Sequence, residues 1–288
     1  GRYAGSTWFA DAFAIDLEEH CVAQVNCDSP GCRWATTFKH LSCMPETHAF
    51  IDAAIRDVAG PDIVIEPERA HQAGDYSFNN IGITGYYMLS STMPDDLRAE
   101  KGYYSVGIGV SGTDDTIEIA DREILMRDIR IYLLSILRTA NAEITPFDWR
   151  IAADEFVETV AQYQRKAGDR FDLTPAKRAA DDLAAKVRDF YRGIEAKQIA
   201  PATANAVIKE IARILIPINF TREARFRHDD AADPALTIPP LPTLSVAAEL
   251  AGHDEATLGF AQTSLMRGQN RMVSAFREAT RRIEAASA

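Results

Sequence analysis

The sequence predicts an α/β domain over residues 1–144 followed by an all-helical domain over 145–288, and three observations carry that reading. Before residue 145, short apolar runs of strand length alternate with stretches of helical period. After Asn141 the helical period continues without strand runs. Thr145-Pro146-x-Asp148 and Thr174-Pro175 are cap-plus-proline signals that open helices of roughly 20 residues. A chain of 288 residues accommodates one large or two smaller domains, and 47% hydrophobic content suffices for a core.

In chain order, residues 5–19 predict an amphipathic helix, with Trp8, Ala12 and Ile15 at i, i+4, i+7 beside Phe9, Phe13 and Leu17. Residues 21–27 predict a buried strand, with Cys21, Ala23, Val25 and Cys27 on one face and Val22, Gln24 and Asn26 on the other; Pro30-Gly31 ends it. Asp28 stands one residue beyond the last apolar position. In open α/β sheets ligands bind outside the carboxyl ends of strands, so this carboxylate is placed for chemistry. An Asp there can equally accept the backbone N–H two residues on. Spacing leaves both roles open.

Residues 34–42 are expected to be a polar loop, 45–59 a helix ended by Gly60-Pro61, 63–65 a short strand closed by Pro67, and 83–89 a strand with Tyr86 and Tyr87 as β-formers. Asp75, Ser77 and Asn79 lie in the loop between those two strands. Gly107-x-Gly109-x-x-Gly112 has dinucleotide spacing, but Thr113-Asp-Asp-Thr116 follows where a helix is required, so 102–112 is expected to be a loop. Residues 121–140 are the most apolar helix, expected in the core against the sheet. In the second half, 201–216 predict a helix with Val207, Ile208, Ile211 and Leu215 as its stripe. Residues 217–242 predict an extended proline-rich connection. Residues 255–286 predict a long helix with Leu258, Leu265, Met272 and Phe276 inside and Arg267, Arg271, Arg277, Arg281 and Arg282 on a solvated face.

Gly5-Ser6-Thr7-Trp8, its helix, and Asn26-Cys27-Asp28-Ser29 at a strand end together resemble metallopeptidase family 28, the zinc aminopeptidases and glutamate carboxypeptidases. Ala73-Gly-Asp-Tyr-Ser-Phe78, Ile81-Gly-Ile83 and Asp114-Asp-Thr-Ile117 extend the likeness, and the helical tail resembles the dimerisation domain of the carboxypeptidase and transferrin-receptor branch. The resemblance implies a partial zinc-exopeptidase sheet with flanking helices, peptide or small acylated amino-acid substrates, a homodimer, and Asp28 as ligand to one of two zinc ions. It places Ser29, Asp75 and Asp115 in the pocket or behind the ligands. The family centre uses two His, two Asp and one Glu, with a further Glu as general base. Here the His expected before Thr113-Asp-Asp-Thr116 is replaced by Val110, Ser111 and Gly112, and no His occurs between His71 and His228. The Glu pair, first His and bridging Asp are expected upstream of Gly5. The resemblance therefore implies a C-terminal portion of a peptidase, inactive alone, or a non-catalytic relative serving dimerisation or partner binding.

A net charge of −11 argues against nucleic acid or an anionic membrane as partner, because binding phosphate depends on Lys and Arg. No apolar run reaches the ~18–20 residues of a membrane span, and the N-terminus shows no basic-then-apolar leader pattern. Cys21, Cys27, Cys32 and Cys43 lack paired C-x2-C spacing, which argues against structural zinc. Reduced thiols suit a cytoplasmic setting, with a Cys32–Cys43 disulfide as the alternative.

Overall fold

The computed structural model describes residues 3–69, 74–87, 91–101, 116–229 and 237–287. Their elements are α1 (Ala4–Ala12), α2 (Ala14–His20), β1 (Ala23–Val25), β2 (Phe38–Ser42), α3 (His48–Ala59), β3 (Ile65–Glu68), β4 (Thr84–Tyr86) and α4 (Asp95–Lys101). The remainder is α5 (Arg122–Asn141), α6 (Trp149–Ala167), α7 (Thr174–Glu195), α8 (Pro201–Phe220) and α9 (Glu255–Ser287). The described chain is mostly helical with a few short strands. It divides into two compact units, residues 23–70 with 85–147, and residues 1–22 with 71–84 and 148–288. The second begins its long helical run close to the expected boundary, but it also takes the first helices and the segment around 71–84.

In the strand-bearing unit β2 and β3 run parallel, with Phe38 opposite Ile65 and Ser42 opposite Glu68, while β1 pairs with β4. Residues 34–42 are not all loop, since β2 occupies their second half. A register shift between Lys39 and Leu41 interrupts the ladder, and His40 sits there at φ 59°. Such a bulge removes the period-two alternation by which a strand is recognised. Phe38, Leu41, Ile51, Ile55, Tyr87 and Ile131 form the core of this unit.

α5 begins where Asp121 accepts the N–H groups of Glu123 and Ile124. It buries Asp128, Ile131, Tyr132 and Ser135, and the Ser135 hydroxyl lies 2.8 Å from that of Tyr87. Its other face, with Met126, Ile129, Leu133, Ile136 and Leu137, is exposed, so this helix is core on one side only.

In the helical unit the first expected helix is broken at Phe13 into α1 and α2. Its side toward Ala10, Ala14 and Leu17 packs with Ile81 and Ile83, whereas Trp8, Phe9, Phe13 and Ile15, expected inside, are exposed.

α7 packs along α6 and α9, and α9 also along α8. Ala176, Ala179, Ala180, Leu183, Ala184 and Val187 of α7 are buried, a small-residue face that lets helix axes come close. Leu265, Met272 and Phe276 of α9 are fully buried, and the Phe276 ring lies 5.4 Å from that of Phe156. α6 starts at Trp149 because Asp148, rather than Thr145, caps it through the Arg150 N–H. α8 runs on to Phe220 with Pro217 inside it, past the expected end. Among the described residues no helix is long and apolar enough to cross a membrane.

Candidate functional site

The loop leaving β1 carries Asp28 and Ser29. β1 is shorter than expected, and its three residues are half-buried rather than buried. After it, the Asn26 N–H reaches the Tyr86 carbonyl at 3.4 Å, and Cys27 and Asp28 are exposed. The Ser29 hydroxyl donates to Asp28 Oδ1 at 2.8 Å, with Ser29 held at φ 51°.

The loop is anchored by Asp128 of α5, a side chain 1% exposed that the sequence reading passed over. Its Oδ2 accepts the Gly31 N–H at 3.0 Å and the Ser91 hydroxyl at 2.7 Å. Oδ1 accepts Arg127 Nε and Nη2 at 3.1 and 2.9 Å, and Nη2 also reaches the Ala35 carbonyl. The Gly31 carbonyl in turn accepts the Asp121 N–H at the start of α5. Gly31 has φ 76°, and a Cβ there would lie 2.6 Å from Leu125 Cβ. Only glycine fits this turn, which fixes where Pro30 delivers the chain. Nothing in the sequence singles out Asp128, one of six charged residues in α5; only the tertiary structure shows that its carboxylate is buried and paired.

Partial desolvation raises the pKa of the neighbouring Cys27 thiol, a hydrogen bond with Tyr132 opposes this, and the charges of Asp128 and Asp28 raise it further. All four cysteines are free, so the Cys32–Cys43 disulfide is not formed.

The remaining expected site residues are not joined to Asp28 by the described residues. Asp75 lies in the 3-10 turn Gly74–Phe78, its side chain outside what is described, and it belongs to the other compact unit. Asp115 and the segment 102–112 lie outside the described residues. Ser77 is buried, and its hydroxyl lies 2.9 Å from Ser6 Oγ and 3.2 Å from Thr7 Oγ1, a structural role. Among the described residues no three His, Cys, Asp or Glu side chains converge to hold a metal ion. Zinc takes about four N, O or S donors, and of these the described residues supply Asp28 alone.

A denser group of ionisable residues sits on β2, where the sequence suggested a loop. Lys39 Nζ lies 2.8 Å from Asp95 and 3.4 Å from Glu66, and His40 Nδ1 is 2.5 Å from Glu68. The Lys39 hydrogen bond holds the Asp95 carboxyl below the usual range. These side chains face water, and their pairing is that of a solvated strand edge.

No known family model and no curated protein sequence matches this chain.

Proposed function

We propose that the chain is the C-terminal portion of a zinc-dependent exopeptidase of the family 28 type, acting on peptides or small acylated amino acids as an aminopeptidase or carboxypeptidase. The observation that carries this reading is the order helix, short strand, then an exposed Asp28–Ser29 pair in a loop pinned from behind by Asp128. In this reading Asp28 is the one metal-ligating side chain of a two-zinc centre that these residues contribute, and its remaining donors and general base belong to a longer polypeptide. Zinc in such a centre supplies Lewis-acid activation of water. The part of this chain is to hold the Asp28 carboxylate at the strand end, through the Gly31 turn and Asp128. The helical unit serves as a homodimerisation surface.

The test compares this chain with a polypeptide that also carries the upstream coding sequence. Chelator-sensitive release of a terminal residue by the longer protein, lost on Asp28→Asn, is expected; the 288-residue chain should turn over no peptide. Hydrolysis and zinc content both indifferent to Asp28→Asn would overturn the assignment.

The second reading is a non-catalytic relative that serves dimerisation or partner binding. It is supported by the absence of a converging donor set among the described residues and by the exposed apolar face of α5. Hydrolysis by the longer protein would eliminate it.

A further inference from the structure

The helical unit contains a cavity that the peptidase reading does not use. It lies between the 3-10 segment Pro242–Ala248 and α9 and has a volume of about 540 Å³. A second cavity of about 500 Å³ adjoins it and shares Arg222, Ser245 and Glu249. Gly268 of α9 allows the close approach that forms the boundary, since a Cβ there would collide with the Thr243 carbonyl.

Charge singles this place out. In a chain of net charge −11, Arg222, Arg267 and Arg271 line the first cavity and Lys166 the second, with Glu249 as the acid of the lining and Asp229 and Glu223 close to Arg222 and Arg271. Arg271 is fixed by the carbonyls of Arg222, Glu223 and Pro217 at 2.6, 2.7 and 3.3 Å, and its guanidinium enters no ion pair among the described residues. Burial lowers its pKa from the ordinary arginine value, with the charges of Asp229 and Glu223 opposing. The guanidiniums of Arg222 and Arg267 likewise enter no ion pair or hydrogen bond among the described residues. Three cations around one concavity suit an oxyanion, because guanidinium forks match phosphate and carboxylate oxygens. Ligand cavities are usually ~300–1,000 Å³, so the space also admits an organic body.

We propose that this cavity binds a small organic phosphate, its phosphoryl group held by Arg222 and Arg267 with Arg271 as the fixed wall. Glu249 is then an electrostatic brake on affinity. This assignment is independent of the peptidase reading.

Titration calorimetry of the 288-residue chain at low salt, with glucose 6-phosphate, glucose and inorganic phosphate as probes, tests it. Saturable binding of glucose 6-phosphate is expected, tighter than that of inorganic phosphate, with none for glucose. The double variant Arg222→Gln/Arg267→Gln, both exposed side chains, should keep the far-UV circular dichroism of the parent. It should bind at least about tenfold more weakly, since charge-assisted bonds to an anion are each worth more than about 1.4 kcal/mol, the tenfold step. Glu249→Gln should tighten binding about threefold by removing a like charge at the lip. No saturable heat with glucose 6-phosphate, equal affinity for inorganic phosphate, or affinity unchanged in the double variant would each overturn the proposal.

Discussion

Replacing Arg213 with methionine should destabilise the helical unit by about 3–5 kcal/mol, because each buried carbonyl left without its donor costs about 1–3 kcal/mol. Arg213 of α8 is 7% exposed and ends among main-chain carbonyls. It donates to Glu18 O at 2.9 Å, Leu17 O at 3.2 Å and Cys21 O at the C-terminal end of α2, and to Gly82 O at 2.6 Å. The last carbonyls of a helix have no partner within the helix and carry its negative dipole end, so a buried cation there satisfies both needs. Methionine matches the length but leaves four acceptors facing an apolar stem. Arg213→Lys keeps the charge and loses the fork, and should cost about 1–2 kcal/mol.

Burial depresses the Arg213 pKa to about 10, well below the ordinary arginine value, with the Cys21 and Glu18 charges opposing and Arg225 adding to it. Above about pH 10 the unfolded chain keeps this proton where the folded one loses it, so the arginine contribution changes only there. The loss in Arg213→Met should therefore be the same at pH 6 and pH 9. Urea unfolding followed by fluorescence is the assay, because Trp149 of the same unit is 1% exposed and reports its opening. At slopes of about 2–3 kcal/mol per molar urea, the midpoint should fall by more than about 1 M. A midpoint within 0.3 M of the parent, by the same ~2–3 kcal/mol/M scale, or lysine as damaging as methionine, would refute the carbonyl-cage account.

Gly82→Ala should cost more than about 2 kcal/mol, because φ is 90° and the new Cβ would lie 2.5 Å from Arg213 Cα and 2.8 Å from Ala212 O. Gly60→Ala, at φ 97° but with nothing within 4 Å, should cost only the backbone strain of about 1–2 kcal/mol; equal melting shifts for the two variants would remove the close-approach argument. Asp128→Asn should lower stability by about 2–3 kcal/mol and speed amide exchange at Gly31, and unchanged exchange there would separate the loop from its anchor. Sedimentation at micromolar concentration should show a dimer of the 31.8 kDa chain, with a persistent monomer counting against the helical unit as a self-association surface.

Helix positions in the second half were legible because each element follows from local rules. α7 begins at its Thr174-Pro175 signal and α9 at residue 255 as expected; of the α9 stripe Leu265, Met272 and Phe276 are buried as the period requires, while Leu258 is only half-buried. The bulge at His40 hid β2, and the exposed outer face of α5 could not be read from a helix that carries apolar residues on its outer as well as its buried side. Asp28 beside Ser29 was legible from chain neighbourhood alone.

What the sequence by itself determined is local: helix periods, caps, turns at glycine and proline, and a charge of −11. The tertiary structure decided which apolar face each helix buries, that Asp128 holds the Gly31 turn across 97 residues of chain, and that Arg213 finds its carbonyls up to 196 residues away. It also gathered Arg222, Arg267 and Arg271 around one cavity in a chain that is acidic overall. Period and propensity act within a turn or two of helix, whereas a buried charge is tolerated only where the fold brings enough partners to it, and those partners come from anywhere in the chain.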